Sequence, residues 1–294
     1  MSKDAFVGHC AALAGLLEVT AEKPGNVTPT YDFPDTKFHH FLASSVALEG
    51  PMRRLSEDGD YHIGTGILDA VKASYKVQSG GNAQLGIILL FGPLAKAAGL
   101  VEGNLTTSHL RRSLGMALKL TDNKDALDAF RAINFGHVGG LNPVKRLDVR
   151  DKQTFAKLRS EGTTMLEWMA VGKDINSVCY EYATDYQITF ELGLPVLLES
   201  RPKGLSDAIV HTYLTILSHH PDTHICGKWG PGLAKKITEK AAVIIKNGSI
   251  WTKDGLVSIR RLTNYLRKGR INPGATADLT ASAIYVALLT GLEP

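Results

Sequence analysis

Ile271-Asn272-Pro273-Gly274-Ala275-Thr276-Ala277-Asp278-Leu279-Thr280 runs straight on into Ala281-Ser282-Ala283-Ile284-Tyr285-Val286-Ala287-Leu288-Leu289. Pro273 after Asn272 suits a first helical position, where a missing backbone N–H costs nothing. The residues after Gly274 carry no turn signal and are rich in Ala, Ile, Tyr, Val and Leu, so 273–290 reads as a helix facing a core. Asp278 lies one to two turns inside it. A carboxylate turned toward a core is costly unless a cation or a metal answers it.

Helical periodicity extends outward from this segment over nearly the whole chain. Residues 5–19 put Phe6, Leu13, Leu16, Leu17 and Val19 on one broad face, and 38–50 do the same with Phe38, Phe41, Leu42 and Val46. The same reading places helices over 62–77, 83–98, 107–119, 124–133, 152–169, 174–199, 205–219, 231–246 and 255–268. Strand signals are thin: no Asn-Gly pair sits between alternating runs, and Asn247-Gly248 follows a helix. The irregular stretch from Asn134 to Arg150 holds Gly136, Gly139, Gly140 and Pro143. It reads as a long active-site loop rather than a domain boundary, because about ten helices must share faces to bury so much apolar surface. The expected fold is all-α, one multi-helix domain over residues 1–294 with about ten or more helices.

The 294 residues hold 33 Lys and Arg against 29 Asp and Glu, a formal charge of +4, and 44% are hydrophobic. That composition excludes a disordered or fibrous chain. So mild a balance does not suit a general nucleic-acid binder, which needs a clustered basic face, but it leaves room for a local phosphate pocket. Cys10, Cys179 and Cys226 lie far apart, odd in number, which fits a reducing compartment. Asp4 and His9 interrupt the stretch where an export signal would need apolar residues. The longest apolar run, Leu85 to Ala98, falls short of the roughly 20 residues that span a bilayer. A cytoplasmic protein with no membrane contact is expected. No heptad or exposed stripe argues for a homodimer, which the sequence leaves open.

Four breaks in the helical pattern carry unusual polar groups. Glu18 precedes Lys23-Pro24-Gly25-Asn26, where a helix ends in a stiff turn with exposed backbone and a cation, a combination suited to a triphosphate or simply to stopping the helix. Gly80-Gly81-Asn82-Ala83-Gln84-Leu85-Gly86 opens an apolar helix; a glycine-rich turn there is an anion site or a plain loop, and it matches neither common nucleotide motif. His219-His220-Pro221-Asp222-Thr223-His224, with Lys228 beyond, invites a metal, yet Pro221 disrupts helical pairing of the histidines. Asp222 suits Mg²⁺, a sugar hydroxyl or a helix cap. The fourth break is the segment that leads to Asp278; Asp185, after Tyr182-Ala183-Thr184, raises the same question of a buried acid.

In their order, Glu18 with Lys23-Pro24-Gly25, then Gly80-Gly81-Asn82 to Gly86, then Asp222-Thr223, then Asn272-Pro273-Gly274 with Ala277-Asp278, the chain resembles the triphosphoribosyl-dephospho-CoA synthase family over about residues 10 to 290. Asp32-Phe33-Pro34-Asp35-Thr36, His39-His40-Phe41-Leu42-Ala43 and Ala183-Thr184-Asp185 look nearer to its archaeal-type branch. The resemblance implies an all-helical transferase that moves the ribose of ATP, with its triphosphate, to the 2′-hydroxyl of 3′-dephospho-CoA and releases adenine. Displacement at an anomeric carbon develops positive charge on the sugar, so carboxylates should flank it, and Asp278, Asp222 and Glu18 are the candidates. Asp278 is the expected general base. Lys23, Lys228 and the Gly80–Asn82 backbone would hold the triphosphate, with Pro24, Gly25, Asn26, Gln84 and Gly274 completing the nucleotide site. Mg²⁺ would sit on the phosphates and on Asp222 or Asp185.

The chain departs from the family where Asn82-Ala83-Gln84 replaces the usual Asn-Thr-His or Asn-Thr-Asn, and in lacking an extra basic residue near Gly227. These departures keep two other readings open. One retains the chemistry and changes the acceptor to a precursor of a tetrahydromethanopterin-type one-carbon carrier. The other is a nucleotide-binding protein without catalysis.

Overall fold

The computed structural model describes residues 1–57, 59–81, 84–136 and 142–294. The chain begins with α1 (Lys3–Thr20), α2 (Phe38–Ala47), α3 (Glu49–Glu57), α4 (Ile63–Val77) and α5 (Leu85–Leu100). The middle is α6 (Thr107–Lys119), α7 (Asn123–Phe135), α8 (Thr154–Glu161), α9 (Met165–Val171) and α10 (Ser177–Ala183). A π-helical turn, Ile188–Gly193, leads into α11 (Leu194–Ser200), followed by α12 (Leu205–His219) and α13 (Thr223–Trp229). The chain closes with α14 (Pro231–Lys246), α15 (Lys253–Gly269) and α16 (Gly274–Leu289). No strand occurs among the described residues, so the all-α expectation holds.

One apolar cluster runs through these helices, and α16 is its axis. From Ala275 to Leu289 every α16 residue is buried except Asp278, and the helix packs on α1, α5, α12 and the π-helical turn. The proline-first expectation shifts by one position, with Pro273 at the cap and Gly274 opening the helix.

The departures from periodicity have local causes. The predicted helix over 152–169 divides because Gly162 takes φ +63 and Thr164 with Glu167 forms a capping box that starts α9 afresh. The one over 174–199 divides at Asp185 and Tyr186, both at positive φ. The buried Glu181 carboxylate holds that bend by accepting the Ile188 and Thr189 N–H at 2.8 and 2.9 Å, and burial pushes its pKa up to about 7.

Pro93 lies inside α5. It has no N–H to offer the Leu89 carbonyl one turn back. The buried Tyr182 hydroxyl donates to Leu89 O at 2.7 Å instead, and Tyr186 to Leu90 O at 2.9 Å. Tyr182→Phe therefore leaves a buried carbonyl unpaired, and denaturant unfolding should show a loss of about 1–3 kcal/mol. A loss under about 0.5 kcal/mol would mean the bond contributes no more than a typical surface contact.

Candidate active site

Where α1 ends, α5 begins and α16 begins, the three helices border a cavity of about 240 Å³, closed on its other sides by α9, α10, the start of α13 and the segment 142–149. The α1, α5 and α16 side supplies Glu18, Asn26, Gln84, Asn272 and Asp278. The opposite side supplies Leu147, Val149, Trp168, Met169, Ile175 and Val178. Trp168 Nε1 donates to Leu147 O at 2.9 Å, tying the segment to α9, and Asn142 Nδ2 donates to Ile175 O and Thr223 O at 2.8 and 2.9 Å. The long loop expected between Asn134 and Arg150 thus contributes cavity wall through its described part. Residues 137–141 lie outside the described residues.

Asp278 is the one charged residue in α16, and its carboxylate lies against Gly86 in the first turn of α5. A Cβ added at Gly86 would stand 2.0 Å from Asp278 Oδ2, so only glycine admits the acid there. Burial, and then the negative charges of Glu18 and Asp222, push the Asp278 carboxyl well above the ordinary range, against a backbone hydrogen bond from Ile87 at the positive end of α5. Glu18 is also buried on the cavity wall, and its Oε1 lies 3.0 Å from Lys23 Nζ. Burial raises its carboxyl, and the Lys23 ammonium pulls it back down.

The sequence motifs converge only in part. Glu18, Asn26, Gln84, Gly274 and Asp278 all line the cavity. Lys23 does not. Its side chain is 0% exposed, and its ammonium reaches Glu18 Oε1, Glu18 O and Ala21 O, which occupies its three N–H donors. Pro24 accepts from Tyr213 Oη at 2.8 Å, and Gly25, at φ +84, is pressed against Leu266, Ile271 O and Pro273. Lys23-Pro24-Gly25 is thus wall material behind the cavity rather than a phosphate grip.

Asp222 likewise stands behind the wall. Its Oδ1 accepts Ile225 N–H at 2.9 Å, and its Oδ2 accepts Thr276 N–H and Oγ1 at 2.8 and 2.7 Å. It caps α13 and secures the first turn of α16, which is the capping alternative, and its oxygens are not turned to a metal. Burial raises its carboxyl against those three donors. Asp185 is exposed, beside Gly115 of α6, away from the cavity. Neither residue fits the expected Mg²⁺ position. Gly81 donates to Asp35 O at 2.8 Å and Gly80 to Gln78 Oε1 at 2.6 Å, both off the cavity wall, while Lys228 is exposed. Asn82 lies outside the described residues.

A family model described as ATP:dephospho-CoA triphosphoribosyl transferase matches residues 4–294. The chain belongs to this transferase family. Among solved structures, an Archaeoglobus fulgidus chain titled as a triphosphoribosyl-dephospho-CoA synthase superposes with a TM-score of 0.68 at 27% identity, covering 85% of this chain and 99% of that one. A Malonomonas rubra protein named as a 2-(5″-triphosphoribosyl)-3′-dephosphocoenzyme-A synthase is 30% identical over 102 residues, 34% of this chain. The match spans about a third of that relative's length, 32%.

In this triphosphoribosyl transferase family member, sequence reasoning missed several cavity residues. Asn142, Asn176, Thr223 and His224 line it, and His224 packs over Gly274, 3.7 Å from where a Cβ would stand. The signal for Thr223 and His224 was Asp222 itself: read as an N-cap, it places both in the first turn of a helix. Asn142 carried no such signal, because only a tertiary contact brings its loop here. His224 is lowered by burial, with Asp222 opposing that shift and Lys228 adding to it. No described helix is long and apolar enough to cross a membrane.

Proposed function

We propose that this chain transfers the triphosphoribosyl group of ATP to the 2′-hydroxyl of 3′-dephospho-CoA with release of adenine. The observation that supports it best is the pair of carboxylates, buried Glu18 and half-buried Asp278, on the wall of one cavity in a chain of this family. The acceptor oxygen bonds to the anomeric carbon as the bond to adenine breaks. Positive charge grows on the ribose meanwhile, and the carboxylates on the cavity wall can answer it.

Asp278 takes the proton from the attacking hydroxyl. Burial and the neighbouring acids raise its proton affinity, which favours taking a proton from a hydroxyl. The departing adenine needs one proton, and the hydroxyl gives up one. The proton lost by the hydroxyl equals the one adenine takes up, so the transfer is proton-neutral overall.

Asp222 and Asp185 do not present oxygens to the cavity, so Mg²⁺ would be held by the triphosphate itself and would supply neutralising charge there. The family description names dephospho-CoA as acceptor, which does not favour the one-carbon-carrier precursor. Incubation with ATP, Mg²⁺ and 3′-dephospho-CoA should release adenine and ribosylated product in equal amounts, resolved by chromatography. ATP binding without adenine would leave the non-catalytic reading in its place.

A further inference from the structure

Four side-chain acceptors belong to the α1–α5–α16 side of the cavity: the Glu18 and Asp278 carboxylates, and the amide oxygens of Asn26 and Gln84. The two amide oxygens are buried and have no hydrogen-bond partner among the described residues. Their orientation follows from their neighbours. Ser45 Oγ donates to Phe41 O at 2.8 Å, which leaves it only acceptor capacity, so Gln84 presents its amino group to Ser45 at 2.7 Å. Asn26 presents its amino group to Asn272 Oδ1 and to the Pro273 carbonyl, which can only accept. Each amide is thereby held with its oxygen left over.

A buried acceptor without a donor is unfavourable, and native structures keep such groups where something else completes them. An anion cannot do so here. Lys23 has its N–H donors committed, and apart from the Asn272 amide, whose oxygen accepts from Asn26, the side-chain groups on this wall are carboxylates and amide oxygens, which offer an anion no counter-charge.

We infer that Gln84 and Asn26 form a donor-reading subsite, which takes hydroxyl or amino hydrogens from the nucleoside part of the substrate and keeps the phosphates on the other side of the anomeric carbon. The inference rests on the ATP-dependent reading of the site and reverses the expectation that these residues grip the triphosphate. It also gives a use to Gln84, the position at which this chain departs from the family's usual Asn-Thr-His or Asn-Thr-Asn. The site is built to be satisfied by a donor, so it should reject nucleotides lacking that donor more sharply than a merely apolar pocket would.

Calorimetric titration at fixed Mg²⁺ tests this with ATP, 2′-deoxy-ATP, 3′-deoxy-ATP, inosine triphosphate and inorganic triphosphate. At least one of the three analogues should bind the unaltered protein about tenfold or more weakly than ATP, and which one identifies the donor as a sugar hydroxyl or the base amino group. Gln84→Leu, which removes the acceptor and keeps the bulk, should abolish or reduce that preference and leave the affinity for inorganic triphosphate unchanged. Equal binding of all four nucleotides by the unaltered protein overturns the inference without recourse to any variant. So does a Gln84→Leu protein, folded by circular dichroism, that loses inorganic triphosphate in step with ATP. Selective ATP binding without adenine release would remove the transfer reaction and leave the subsite standing; no binding of ATP at all would remove both.

Discussion

Asp278→Asn should lower the turnover of adenine release by about 10²- to 10⁴-fold while the protein keeps its affinity for ATP, the loss typical of removing a positioned general base. Asparagine has nearly the same shape, so Gly86 still accommodates it, and Ile87 retains an acceptor oxygen. The same substitution should stabilise the fold at neutral pH. Burial and the charges of Glu18 and Asp222 raise the Asp278 carboxyl above its ordinary value of 3.8. A carboxyl raised in the folded state binds a proton that the unfolded chain has released. Its stabilising contribution is complete below the ordinary value and is lost as pH rises through the raised one. Unfolding midpoints of the two proteins should therefore coincide in acid and separate toward neutral pH, with Asp278→Asn the more stable. The unaltered enzyme's kcat/KM should rise with pH through the raised value. A variant that turns over normally, or one that is less stable at neutral pH, would remove Asp278 from the role of an ionising base.

The second large effect is on stability. Lys23→Met should cost about 3–5 kcal/mol in denaturant unfolding, because it strands the Glu18 carboxylate with no counter-charge and leaves the Glu18 and Ala21 carbonyls without their ammonium donor. If the damage comes from the stranded charge, adding Glu18→Gln should recover most of it, since removing both partners of a buried pair is far milder than removing one. A phosphate-gripping lysine would behave in the opposite way: Lys23→Met would weaken ATP binding and leave stability nearly untouched. The two measurements together separate a wall residue from a binding residue.

Two of the sequence motifs are special for a reason other than the one their residue types suggest. Lys23-Pro24-Gly25 and Asp222-Thr223 have the residue types of an anion or metal site, and the same types serve equally well to end one helix and start the next. Lys23 folds back on its own helix terminus five residues earlier, and Asp222 holds the first turns of α13 and α16. Both uses are local to the backbone, so neither could be told from ligand binding by spacing alone. Asp278 was legible because a carboxylate inside an apolar helix has few uses, and Glu18 because it precedes the Lys23-Pro24-Gly25 break in the ordered set of motifs.

The chain by itself determined the class of the fold and the position of most helices, because 3.6-residue periodicity, prolines at helix starts and capping residues are properties of neighbouring residues. It also determined that Asp278 would stand out as an acid inside an apolar helix, since its neighbours there are small or apolar. Packing decided the rest. Which acids share a cavity depends on helices α1, α5 and α16, far apart in the chain, meeting at their ends, and which polar atoms remain unpartnered depends on the donors that arrive with them. Spacing along a chain carries no record of either, because a hydrogen bond is satisfied by whatever lies within about 3 Å in space.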